Sequence, residues 1–192
     1  TLFRSSFHMR RVISVVGAIA LMISLAGCAA ETPSSDSSSM PSGIETPDAN
    51  LIPAAPGTEV KAVDYTLFDV GFDEYLFKAG DGPVWCTVNS VENWALCEMN
   101  EAAAEYSPIP PPSDCQGSYG YQIKLYADPA NKPGFICSGG YYSDASVAQT
   151  LNSGEKITVG DITCYVNDIT ARCDNKSGQY TALGPKVWAA VN

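Results

Sequence analysis

Histidine is nearly missing from this sequence: among 192 residues only His8 is one. Everything C-terminal of it therefore lacks the base of a Ser-His-Asp or Cys-His pair, a histidine general base, and a histidine ligand for zinc or iron. No two cysteines stand two to four residues apart, the spacing that thiolate zinc sites favour. No glycine-rich loop follows a strand pattern and opens a helix, so nucleotide binding has no support. Basic residues are few, 11 Lys and Arg against 21 Asp and Glu, for a net charge of -10. A surface of that sign repels nucleic acid and anionic headgroups. The main apolar run, Val12 to Ala26, is shorter than the roughly 20 residues that cross a bilayer core.

That short run has a different use. Met9-Arg10-Arg11 followed by Val12 to Ala26 is the basic n-region and apolar h-region of an export signal, assigned to residues 1–27 with Met9 as the expected true start. The Arg10-Arg11 pair is not followed by the rest of a twin-arginine pattern, so general secretion is the expectation. The run closes on Leu25-Ala26-Gly27-Cys28, which resembles the lipobox of bacterial lipoproteins. The resemblance implies cleavage before Cys28 and a diacylglycerol on its thiol. Two acyl chains at about 0.8 kcal/mol per buried CH₂ hold a protein stably on a bilayer. The expected location is the extracytoplasmic face of the cell membrane, lipid-anchored. Removing Arg4, Arg10 and Arg11 with the signal would take the net charge from -10 to -13, and the lipid must hold the protein against that repulsion.

Residues 28–59 are rich in Ser, Thr, Pro, Asp and Glu, as in Pro33-Ser34-Ser35-Asp36. Such a segment buries too little apolar surface to offset its ordering entropy, and a disordered tether is expected. About 30 flexible residues span on the order of 30 Å. The remainder, 60–192, has the length of one domain.

Six cysteines remain beyond Cys28: Cys86, Cys97, Cys115, Cys137, Cys164 and Cys173. In an exported chain an even set reads as three disulfides, although six cysteines allow about 15 pairings. Local pattern ranks them. Trp85-Cys86-Thr87-Val88-Asn89 and Trp94-Ala95-Leu96-Cys97 read as strands around a polar turn, which sets Cys86 opposite Cys97. The grammar recurs at Thr163-Cys164-Tyr165-Val166-Asn167 and Ala171-Arg172-Cys173, which favours Cys164 with Cys173 and leaves Cys115 for Cys137.

Strand signals dominate. Tyr119, Tyr121, Ile123 and Leu125 alternate with Gly120, Gln122 and Lys124, and shorter runs follow between turn signals such as Gly80-Asp81-Gly82-Pro83 and Asn152-Ser153-Gly154. Glu98 to Glu105 and Asp144 to Leu151 could be short helices. The expected fold is mainly β, a small antiparallel sandwich or partly open barrel with three disulfides and one or two short helices.

From about Val84 onward the order Trp85-Cys86, Cys97, Pro108 to Pro112 leading into Cys115, Gly134-Phe135-Ile136-Cys137-Ser138-Gly139-Gly140, Val159-Gly160-Asp161-Ile162-Thr163-Cys164 and Cys173-Asp174-Asn175 resembles a small six-cysteine domain of exported actinobacterial proteins and lipoproteins. That domain has no established function. The resemblance supports the local cysteine pairing and supplies no catalytic residue.

Carboxylates are the chemistry left, since glycosidases can work with two. Asp69, Asp73 and Glu74 are close in sequence, and Glu98, Glu101 and Glu105 would share a face if helical. Solvated surface charge explains both sets more simply. Asp174 to Gly178 resembles the start of a calcium loop but lacks the bidentate acid at the right distance, and a hairpin turn explains it equally well. Trp85, Trp94 and Trp188 could form a platform for sugar rings, or fill the core. No cofactor is expected. The reading is a monomeric, non-catalytic binding or interaction module of the cell envelope, with a cell-wall glycan or a basic envelope protein as candidate partner. A carboxylate-dependent wall or glycan hydrolase and a structural or antigenic surface protein are the alternatives.

Overall fold

Period-two alternation of apolar and polar residues becomes thirteen short strands in two sheets in the computed structural model, which describes residues 48–192. In the first half of the chain these are β1 (Lys61–Ala62), β2 (Asp69–Gly71), β3 (Glu74–Ala79), β4 (Val84–Asn89), β5 (Trp94–Met99), β6 (Gln122–Tyr126) and β7 (Gly134–Phe135). The second half supplies β8 (Gln149–Leu151), β9 (Glu155–Val159), β10 (Ile162–Asn167), β11 (Thr170–Asn175), β12 (Tyr180–Gly184) and β13 (Val187–Val191). One sheet has the order β1-β9-β10-β11-β12-β13 and the other β2-β3-β4-β5-β6-β7, with β8 also paired to β3. Both are mostly antiparallel and neither closes into a barrel, so the mainly β expectation holds. The described residues belong to one compact unit, Met40–Asn192. The export signal, Cys28 and most of the tether lie outside the described residues.

The two halves are built alike and exchange their leading strands. β1 pairs parallel with β9 of the second half, and β8 pairs parallel with β3 of the first. Each half then runs as an antiparallel meander, β3 to β6 and β9 to β12. The turns interlock in the same reciprocal way. A Cβ on Gly80 (φ +54) would lie 2.7 Å from the Asp168 carbonyl, and one on Gly160 (φ +58) would lie 3.3 Å from Asn93 Oδ1. Asn93 and Asp168 occupy corresponding hairpin turns, and both have positive φ.

Cys86 faces Cys97 and Cys164 faces Cys173, each pair bonded across its hairpin with Cα atoms 4.0 Å apart. Cys97 Sγ and Cys173 Sγ are 3.9 Å apart, so the two bridges meet in the core where the sheets pack together. Around them lie Phe77, Val88, Ile123, Leu125, Ile162 and Leu183. Cys115, in the irregular segment before β6, bonds to Cys137, just after β7. The cysteine triad Cys86, Cys97 and Cys173 whose sulfurs cluster is thus part of two disulfides.

Each of the two expected helical stretches holds a single short 3-10 helix. Among the described residues there are only short 3-10 turns, including Glu101–Ala103 and Ala145–Val147, capped by the side chains of Asn100 and Asp144. Pairing of β5 with both β4 and β6 outweighs the helix propensity of the Glu98 region. No helix among the described residues is long and apolar enough to cross a membrane.

Both outer sheet faces carry a cover. The segment before β1 has a 3-10 turn at Ala49–Leu51, and the buried Pro53 accepts at its carbonyl a 2.6 Å hydrogen bond from Arg172 Nη1. Arg172 also clasps Asp174 and stacks 3.6 Å from the centre of the Tyr180 ring. Packed chain thus begins ahead of Val60. On the other sheet the cover is the loop 138–143.

Candidate functional site

An apolar groove opens where the two sheets end. Alternation along β13 turns Trp188 and Ala190 inward, and β13 is the last strand of its sheet, so no neighbour shields them. β7 ends the opposite sheet after two residues. Its Phe135 ring stands 5.1 Å from Trp188 and 5.9 Å from Tyr119. The third wall is Pro110 to Pro112, residues that cannot donate to a ladder and so run beside the sheet. Ile109 anchors this wall against Gly120, whose φ of +94 and a Cβ position 3.2 Å from Ile109 both call for glycine. The groove encloses about 420 Å³ and is lined by proline, aromatic and aliphatic residues. Among the described residues no carboxylate, amine or guanidinium lines it.

The candidate carboxylates go elsewhere. Glu98, next to the end of β5, is fully buried. Its Oε2 accepts from Trp85 Nε1 (3.1 Å), Ser143 N (3.2 Å) and Ser143 Oγ (2.9 Å), and its Oε1 accepts from Tyr142 N (2.7 Å). Thr87 Oγ1 is 3.0 Å from Ser143 Oγ and completes the network. Burial pushes the Glu98 carboxyl above its usual range, and the four donors pull against that shift. Trp85 on β4 and the loop residues Tyr142 and Ser143 supply every donor, no water-exposed edge remains, and the carboxylate organises the loop 138–143 over the sheet.

That loop explains two tryptophans. Tyr141 packs edge-on against Trp85 at 5.1 Å and Tyr142 against Trp94 at 5.2 Å. Trp94 Nε1 donates to Glu92 Oε2 at 2.6 Å, and Lys124 Nζ lies 4.2 Å from the Trp94 ring centre. The hydroxyl of Tyr142 donates to Glu74, which also accepts from Asn89 Nδ2, and that bond pushes the phenol up to about 12. Trp85 and Trp94 are buried under this cover, and only Trp188 of the three reaches a groove.

Asp69 and Asp73 lie at the β2–β3 hairpin, and Glu105 reaches Lys186 at 3.6 Å. No two of the six candidate carboxylates meet in the groove. In the loop Asp174 to Gly178, Asp174 is held by Arg172, while Asn175 Oδ1 accepts from Ser177 N and Gln179 N as a turn. The sequence reading missed the Tyr141-Tyr142-Ser143 cover. Its only visible signals were the preceding Gly139-Gly140 pair and a glutamate inside an apolar strand. No family model, no curated protein and no solved structure matches this chain.

Proposed function

We propose that the chain is an extracytoplasmic lipoprotein anchored through Cys28, whose β domain is a non-catalytic binding module that takes its ligand in the Phe135–Trp188 groove. The observation that carries this reading is the lining: stacked aromatic rings and prolines form a concave apolar wall without an acid or base. Such walls recognise by stacking and desolvation, and both proline rings and sugar faces offer the flat apolar surface they need. Among the described residues, the one buried carboxylate with a raised pKa is sealed by four donors away from the groove, which favours binding over hydrolysis.

The test is co-sedimentation of the unit Met40–Asn192, which holds both sheets and all three disulfides, with purified peptidoglycan and envelope polysaccharide over a salt series. Retention that survives high salt and is lost in Phe135→Ala supports groove recognition of a glycan. Release of new reducing ends from the bound glycan would count against the non-catalytic reading, and absence of retention would move the ligand from glycan to protein.

A further inference from the structure

The β2–β3 hairpin ends in a two-residue loop, because Gly71 pairs with Glu74. The loop residues Phe72 and Asp73 have φ of +57 and +60, as a type I′ turn requires, and Gly71 before them has +88. Asn-Gly or Asp-Gly normally fills such a turn. A bulky aromatic in the left-handed region is an outlier that persists only where its surroundings fix it and something is gained. The fixing is visible. Ser90 donates from N (2.9 Å) and Oγ (3.2 Å) to the Asp73 carbonyl, and Gly71 N donates to Asp69 Oδ1 at 2.7 Å. The gain is not internal packing, since Phe72 is 94% exposed.

Phe72 does not stand alone. Val70 lies exposed in the first strand of the same hairpin, Leu67 is 56% exposed just before it, and Val91, 67% exposed, sits in the neighbouring turn that Ser90 ties to Asp73. From Val63 to Phe77 the chain carries Asp64, Asp69, Asp73 and Glu74 and no basic residue. This end of the molecule is therefore a rigid apolar knob in an acidic collar, on the edge of the sheet opposite β7 and its groove.

We infer that the Phe72 hairpin is a second, independent docking element, made to insert into an apolar pocket ringed by lysine or arginine on a partner protein. Charge complementarity selects that occupant. An anionic bilayer would meet the acidic collar with repulsion, and a second copy would bring the same sign of charge to the contact.

The test uses the full lipidated chain in its producing cell, with the photoreactive residue benzoylphenylalanine at position 72 and, as control, at Val147, which is 61% exposed elsewhere. The expected result is a dominant protein adduct from position 72 only, with the linked peptide beside Lys or Arg, lost when Asp69→Asn and Asp73→Asn are combined. Both substitutions keep the backbone contacts described above. Phe72→Asn supplies an independent reading: a residue suited to the turn raises the Tm, by about 2–4 °C for a domain of this size, while a competitor lacking the ring no longer suppresses the adduct. A lipid adduct, an adduct with the chain itself, yield no higher than at Val147, or a yield indifferent to the two aspartates would each overturn the inference.

Discussion

Replacing Glu98 by Gln changes one atom and tests how the loop 138–143 is held. Both carboxylate oxygens face donors only: three on Oε2 and the Tyr142 amide on Oε1. A glutamine keeps one acceptor oxygen. If that oxygen serves Trp85 and Ser143, the new NH₂ points at the Tyr142 N–H and two donors confront each other. One buried donor left without an acceptor costs about 1–3 kcal/mol, and about 2 kcal/mol lowers the Tm of a domain this size by roughly 4–8 °C. The pH dependence has a definite sign. Burial raises the Glu98 pKa, so the folded chain holds this proton at pH values where the unfolded chain, titrating near 4.5, has released it. Stability from this group is then greatest below that value and falls as pH climbs through the window above it. Glutamine does not titrate, so the parent's advantage shrinks as pH climbs from 4 to 7, while the donor clash, a comparison with the ionised carboxylate, is read at pH 7. Urea unfolding at both pH values, followed by tryptophan fluorescence, measures both. A variant as stable as the parent at pH 7, or an advantage of the parent that grows with pH, refutes this account of Glu98.

Cys28→Ala should move the protein from the membrane fraction to the soluble fraction; unchanged retention on fractionation would remove the lipid anchor. Gly80→Ala should destabilise more than Gly154→Ala, because both have positive φ but only Gly80 would bring its Cβ to 2.7 Å of a backbone oxygen. The strain alone is worth about 1–2 kcal/mol per residue, and equal unfolding midpoints for the two variants would discount the close approach between the halves.

Local order was legible in the sequence and long-range order was not. Trp85-Cys86 to Cys97 and Thr163-Cys164 to Cys173 are hairpins whose two strands are adjacent in the chain, so the cysteine positions and polar turns were enough to set the register. Glu98 sits among Leu96, Met99 and three following alanines, a composition that suits a helix. Its place in β5 is decided by β6, which pairs with it from across an irregular segment. The same limit applied to the groove. Pro108 to Pro112, Phe135 and Trp188 each stood out separately, but their meeting depends on β7 and β13 ending different sheets at one place. Phe72 was invisible for the opposite reason. Nothing in Gly71-Phe72-Asp73 tells an aromatic headed for the core from one left standing in solvent.

The exchanged leading strands set an order of events in time. Lys61 finds its partner Glu155 only after 94 further residues have been made, and β3 waits for β8 to cover one end of its edge. Neither sheet is finished by its own half of the chain. A polypeptide that emerges first-half first thus leaves β1 and the edge of β3 without their parallel partners until the second half arrives. Contacts this distant are slow to form because the intervening loop must close first. The last pairings of both sheets therefore wait for the same stretch of chain, the one that carries β8 and β9.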